Sequence, residues 1–183
     1  MQPLPAFNFR VLFAAPAAES TALEGGDALA AAGAQAAAVV PGTASTIRAG
    51  FAEVRGLHSE VEMEEYREGG RNIGPRRFPR WGRYPNLVFS RGVTDDTALW
   101  DWWADVITHS YTLTNGKATP RRSGVILLDG YDHKAVAGWF FSNALPERVV
   151  GSPLNARGNE IAVETLELSH EGLLRIQNLP AGV

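Results

Sequence analysis

Only one stretch of this chain carries its apolar residues at helical spacing; elsewhere they alternate with polar ones or form short blocks between turn residues. In that stretch Thr94 can cap a helix N-terminus, and Asp95 and Asp96 follow where the helix dipole favours negative charge. Leu99, Trp100, Trp102, Trp103, Val106 and Ile107 then recur at helical positions. One main helix, expected over about 94–108, leaves no βα repeats from which to build a parallel sheet. The expected fold class is therefore mainly β, an antiparallel β-barrel or sandwich with one main α-helix. Three tryptophans in four positions exceed what one core stripe needs. Either the helix is nearly buried, or one tryptophan faces a partner.

Phe7, Phe9, Val11 and Phe13 alternate with Asn8, Arg10 and Leu12 as a half-buried strand. Strand character resumes at Ala49, and further on His58, Glu60, Glu62 and Glu64 point one way while Ser59, Val61 and Met63 point the other. Leu87–Ser90 reads as a short strand and Gly124–Leu128 as an apolar one. A turn at Asp129-Gly130 and Asp132 returns the chain along Ala135–Asn143. In the last predicted strand, Glu160–His170, the apolar phase of Ile161 and Val163 slips by one before Leu166 and Leu168, the pattern of a bulge or a change of neighbours. The count is six or seven strands. Residues 14–48 hold fourteen alanines, four glycines and two prolines. Alanine favours a helix over 27–40 but buries little area, so 14–48 reads as an insertion within a single domain, 1–183.

A net charge of −3 gives no reason to expect a general nucleic-acid binder, and the absence of cysteine removes disulfides, cysteine metal sites and thiol chemistry. Met1-Gln-Pro-Leu-Pro lacks the basic start of a signal peptide. Ala28–Val40 is too short to cross ~30 Å of hydrocarbon, so no membrane span is expected. His58, His109, His133 and His170 show no metal-binding helical spacing. The best metal candidate, His58 with Glu60, Glu62 and Glu64, spreads its ligands roughly 6.5–7 Å apart along a strand, which suits a solvated acidic face instead. Glu164 and Glu167 form no carboxylate pair, because the phase slip sets them on opposite faces. No cofactor, metal or catalytic constellation is expected.

Charge is unevenly spread. Residues 67–91 carry seven arginines and one glutamate, between residues 1–66 at net −5 and residues 92–183 at net −4. Tyr66, Phe78, Trp81 and Tyr84 are interleaved with these arginines, and Gly69-Gly70, Pro75, Pro79 and Pro85 break regular structure, so 67–86 reads as a long loop. Arginine with aromatics suits nucleic acid or a protein interface equally well.

The order of motifs decides between them. Tyr66-Arg-Glu-Gly-Gly-Arg-Asn72, Pro75-Arg-Arg-Phe-Pro79, Tyr84-Pro-Asn86, Ser90-Arg-Gly-Val-Thr-Asp95 and Leu99-Trp-Asp-Trp-Trp103 stand in sequence. Val125-Ile-Leu-Leu-Asp129, Trp139-Phe-Phe-Ser-Asn143, Leu154-Asn-Ala-Arg-Gly-Asn159 and Glu164-Thr-Leu-Glu-Leu-Ser-His-Glu-Gly172 follow. Over about 7–13 and 49–175 the chain resembles the inner tube proteins of contractile phage tails and phage-tail-like contractile injection systems, which are related to the Hcp tube protein of type VI secretion.

This resemblance implies a non-enzymatic structural subunit, six to a ring, with rings stacked as a hollow tube inside a contractile sheath that drives it through a target envelope to deliver cargo. The implied partners are further copies of the chain, the sheath protein, baseplate, spike and tape-measure components, and effector cargo in the lumen. The implied setting is assembly in the bacterial cytoplasm as part of a phage tail or tail-like particle, ejected on contraction. The arm Tyr66–Asn86 would reach a neighbouring subunit or ring. Its interface residues would be Tyr66, Arg67, Glu68, Gly69, Gly70, Arg71, Asn72, Arg76, Arg77, Phe78, Pro79, Trp81, Tyr84 and Pro85, joined by Asn155 and Asn159. A ring-spanning sheet must turn one face to a wet channel, and His58, Glu60, Glu62 and Glu64 are the lumen candidates. The insertion at 14–48 falls where relatives have a much shorter turn. That leaves two places for the chain, the repeating tube or a specialised ring near the baseplate.

Overall fold

The computed structural model describes residues 8–14, 47–69, 73–109, 121–132, 134–155, 157, 159 and 161–176. All but the ends of the expected insertion lies outside these residues, as do Phe7, Gly70, Arg71, Asn72 and His133.

Ten strands and one helix are present among the described residues. They are β1 (Phe9–Phe13), β2 (Ile47–Ala49), β3 (Glu53–Arg55), β4 (Glu60–Tyr66), β5 (Arg76–Arg83), β6 (Leu87–Gly92), α1 (Ala98–His109), β7 (Arg122–Asp129), β8 (Ala135–Val150), β9 (Val163–Ser169) and β10 (Gly172–Ile176). Every pairing is antiparallel. One sheet runs β2-β1-β7-β8-β9-β6-β3, with β10 also on β8, and β4-β5 forms a separate two-stranded sheet. The mainly β, antiparallel expectation therefore holds.

The sixteen-residue β8 makes the two halves of the large sheet into one body. Its Gly138–Ser142 stretch lies between β7 and β10, whereas Leu145–Val150 pairs with β9. The strand changes partners at Asn143, which takes φ 51°, and shifts register between Pro146 and Arg148. Asparagine tolerates this left-handed conformation better than most residues. The predicted return strand stopped at Asn143; in the fold it turns a corner there and continues. The sheet's two end strands, β2 and β3, are consecutive in the chain, so residues 50–52 span the seam with Phe51 buried in it.

Phe13 is the centre of the core. Its ring lies 5.6 Å from Trp102, 5.8 Å from Phe141, 5.9 Å from Phe89 and 6.2 Å from Phe51, all edge-on. Such tilted stacks add to the burial energy of aromatic rings. Gly124 makes this possible: a Cβ there would stand 2.3 Å from the Phe141 ring. Leu12, Val125, Leu127 and Phe140 are buried together on the other face of β1, β7 and β8, so β1 is not half-buried but buried on both faces.

Three local expectations are corrected. The helix starts at Ala98, not Thr94: Ala98 N donates to Asp96 Oδ1, and the first helical bond runs from Asp101 N to the Thr97 carbonyl. Just before the helix, Arg91 donates to the Asp96 carbonyl. Secondly, β9 has no phase slip. Glu164, Leu166 and Leu168 share the buried face, Glu167 lies opposite, and Ile161 and Val163 are exposed. Glu164 took the place of an expected apolar residue because it pairs with Arg91. Finally, the strand expected over Glu160–His170 is not the last one: β10 follows it and adds a strand to β8.

Candidate assembly interface

Residues 67–86 are less of a loop than their glycines and prolines suggest. Arg76–Arg83 is a strand, and it pairs with Glu60–Tyr66 to make an arm. All eight residues of β5 are exposed. Pro79 is tolerated because β5 pairs on one side only, where it faces Met63.

Register defines the faces of the arm. Val61 pairs with Gly82 and Met63 with Pro79, so two residues of β5, Arg80 and Trp81, stand opposite Glu62. A bulge of this kind turns neighbouring side chains the same way, and the Arg80 guanidinium indeed lies 5.4 Å from the centre of the Trp81 ring. Glu60, Glu62, Glu64, Tyr66, Arg76, Phe78, Arg80, Trp81 and Arg83 thus share one face. Val61, Met63, Pro79, Glu65 and Arg77 occupy the other. Tyr66, Phe78, Trp81, Val61 and Met63 are all exposed. Val61 and Met63, expected only to point away from the glutamates and not named among the interface residues, join the exposed apolar set; their alternation with the glutamates is the signal for it.

Four of the arm's arginines are matched within the arm. Arg76 pairs with Glu68 at 3.1 Å, Arg77 with Glu65 at 3.1 Å, Arg80 with Glu64 at 3.5 Å and Arg83 with Glu62 at 3.4 Å. Exposed pairs of this kind add ~0–1 kcal/mol each. Their larger effect is on the potential: residues 60–83 contain six arginines and five glutamates, so the arm offers no strong field to a polyanion. Arg91, counted with the basic block, is not on the arm at all. It is 3% exposed in the core and donates to Glu164.

The lumen candidates fall on the same arm. Glu62 and Glu64 face arginines across the strand pair, and His58 stands 3.6 Å from Glu60 at the root. Two sequence assignments, channel lining and neighbour contact, thereby land on one surface. Asn155 and Asn159 are exposed elsewhere, on the segment between β8 and β9; Asn155 Oδ1 accepts from Arg157 N. No three His, Cys, Asp or Glu residues are grouped to hold a metal among the described residues.

The root of the arm is pinned to the body. Gly56, at φ 91°, brings one leg against the other: a Cβ there would stand 2.2 Å from the Asn86 carbonyl oxygen. Asn86 Nδ2 donates to Glu147 Oε2 at 2.7 Å. The buried His170 ring lies 5.7 Å from Tyr84, with its nitrogens 3.1 Å from the Pro85 carbonyl and 3.0 Å from that of Gly172. Burial pushes the imidazole below its ordinary value, against the pull of those two carbonyls.

Comparison with known proteins gives this geometry a setting. Residues 5–174 match the family of the T4-like virus tail tube protein gp19. No curated protein matches the chain. Among solved structures, a chain of the anti-feeding prophage baseplate, determined with sixfold symmetry, is 21% identical; 96% of this chain and 97% of that one are covered, with a TM-score of 0.70. A chain of the sheath–tube complex of an extracellular contractile injection system, PVC, in the extended state, is 20% identical over 95% and 91%, with a TM-score of 0.63. A chain of the PVC sheath/tube terminator is 19% identical over 97% and 99%, with a TM-score of 0.65. These likenesses establish a shared fold.

Proposed function

Because the chain belongs to the family of the T4-like virus tail tube protein gp19, we propose that copies of it close into six-membered rings that stack as the hollow inner tube of a contractile tail or injection system. It is a structural tube protein, not an enzyme, and a component of a phage tail or tail-like particle. The family match over residues 5–174 carries this reading. The anti-feeding prophage chain of the same fold, solved with sixfold symmetry, supports the ring number. None of the helices among the described residues is long and apolar enough to cross a membrane.

In this proposal the arm is the element that reaches a neighbouring copy. A two-stranded hairpin is marginal on its own in water, and this one exposes apolar side chains on both faces. Burial against another copy accounts for both features. Its matched charges favour a protein partner over nucleic acid. The face shared by Trp81 and Glu62 is assigned to the neighbour contact, since a surface covered by another copy is closed to a channel. A contractile sheath outside the tube, and baseplate, spike, tape-measure and cargo components at its ends and in its lumen, complete the proposed assembly.

Electron microscopy of the purified full-length chain over a concentration series tests this. Rings or tubes with a central channel are expected. A protein that stays monomeric at every concentration, alone and beside its sheath protein, would overturn it.

A further inference from the structure

His170 sits at the corner where β9 ends at Ser169 and β10 begins at Gly172, and it is 7% exposed. The corner meets the arm's root, Tyr84–Asn86, which leads into β6 at Leu87. Nδ1 of the ring lies 3.0 Å from the Gly172 carbonyl oxygen and Nε2 lies 3.1 Å from that of Pro85, with the Tyr84 ring 5.7 Å away. Two acceptors thus face two nitrogens. A neutral imidazole carries one proton, so it bonds one of these carbonyls and turns a lone pair towards the other. An imidazolium would bond both, at the cost of a charge removed from water. Among the described residues no carboxylate pairs with the ring to offset that cost. Glu171, next in the chain, is held by Arg121 at 2.6 Å and by Asn143 at 2.8 Å, and Glu147 on β8 is held by Asn86 at 2.7 Å. Arg83 on the arm pairs with Glu62, Arg148 on β8 pairs with Glu167 on β9, and Arg175 on β10 lies opposite Trp139. Tyr84 adds a phenol at the root.

We propose that His170 is a proton-operated joint for the arm: the neutral ring seats the arm's root, and the protonated ring releases it. A buried charge without a partner is costly, so a ring that takes a second proton is driven towards water. To reach water it must turn out from between Pro85 and Gly172, which breaks the contact with the root and the packing on Tyr84. The Asn86–Glu147 bond and the close approach of Gly56 remain, so the root loosens while staying attached. Burial holds the imidazole below its ordinary value of 6.5, the direction expected of a site that favours the neutral ring. The joint is therefore closed at neutral pH and opens as the pH falls below that value. An arm with a loose root samples more angles, and a neighbouring copy must then meet the entropy cost of ordering it.

The effect on assembly rests on the reading of the arm as the element that reaches a neighbour, and the experiment separates the two. The chain has no cysteine, so Met63→Cys on the arm and Lys134→Cys on the body accept a pair of spin labels without competition. Both positions are exposed. The distance between the labels is measured in the full-length chain, kept dilute so that it stays unassembled. A narrow distribution at pH 7.5 and one at least twice as wide at pH 5 are expected. His170→Gln and His170→Phe have no proton to gain, so whichever keeps the parent's fold should show one width at both pH values. An unchanged distribution in the parent, or a folded variant that broadens as much as the parent, would overturn the joint. Tubes formed by the unlabelled chain are then counted at the same two pH values, and at least threefold fewer are expected at pH 5. An arm that loosens at pH 5 while tubes form equally well would sink the arm reading and leave the joint standing. A fixed arm, together with no tubes from a chain whose residues 71–83 are replaced by a Gly-Ser linker, would sink the joint and leave the arm reading standing.

Discussion

The Arg91 guanidinium and the Glu164 carboxylate form an ion pair inside the core, with side chains 3% and 8% exposed. Arg91 also donates to the Asp96 carbonyl, and Glu164 accepts from Trp100 Nε1. The pair thereby ties β6, β9 and the start of α1 together. Each charge depends on the other, because a lone buried charge keeps its desolvation cost without the compensating attraction.

Removing one partner should consequently cost more than removing both. Glu164→Ala is expected to lose about 3–5 kcal/mol. Arg91→Met combined with Glu164→Leu should recover most of that loss. Urea unfolding of the two variants beside the parent measures it; equal losses in the single and double variants would show that packing, not charge, dominates the site.

Phe13 touches four aromatic rings from four different segments. Phe13→Ala should cost about 3–5 kcal/mol by opening a cavity at their centre. The conservative Phe13→Leu should cost clearly less, and denaturant midpoints at constant slope would report both.

Gly56 carries a positive φ and meets the Asn86 carbonyl. Gly56→Ala forces a Cβ into that oxygen and should destabilise the junction by more than the ~1 kcal/mol usual for a glycine replaced at positive φ. Faster amide exchange confined to the arm and its root, with the core unchanged, is the expected pattern.

Acid should weaken the fold through His170. Its imidazole is held below the ordinary value of 6.5, so the unfolded chain binds the proton more tightly than the folded one. That contribution is complete above the unfolded value and is lost as pH falls below it. Melting temperatures measured from pH 7.5 down to pH 5 should decline in the parent and decline less in His170→Gln.

On the arm, apolar contact should outweigh single charges. Trp81 is 61% exposed and makes no core contact, so Trp81→Ala should change stability by no more than ~0.5 kcal/mol and still reduce tube formation. Arg77→Ala removes one exposed pair with Glu65 and should leave tubes nearly unchanged. Tube counts by microscopy, beside a thermal melt of each variant, provide the comparison.

The antiparallel β class, the helix over Ala98–His109 and the turn at Asp129-Gly130 were legible in the sequence, because alternation, helical spacing and turn chemistry act over a few neighbouring residues. The resemblance of the Tyr66–Asn86 motifs to tube proteins was legible too, since it depends on residue order alone. The partner of each charge was not. Arg76, Arg77, Arg80, Arg83 and Arg91 look alike along the chain, yet four pair with glutamates of their own arm and the fifth with Glu164, 73 positions away in β9. Nor could local pattern show that β8 runs past Asn143 to join two sheets, or that Ile161 and Val163 face outward while Glu164 faces in. Strand propensity is a property of a segment. Pairing, register and burial arise only when distant segments meet, and there the tertiary structure overrode the hydropathy of single residues.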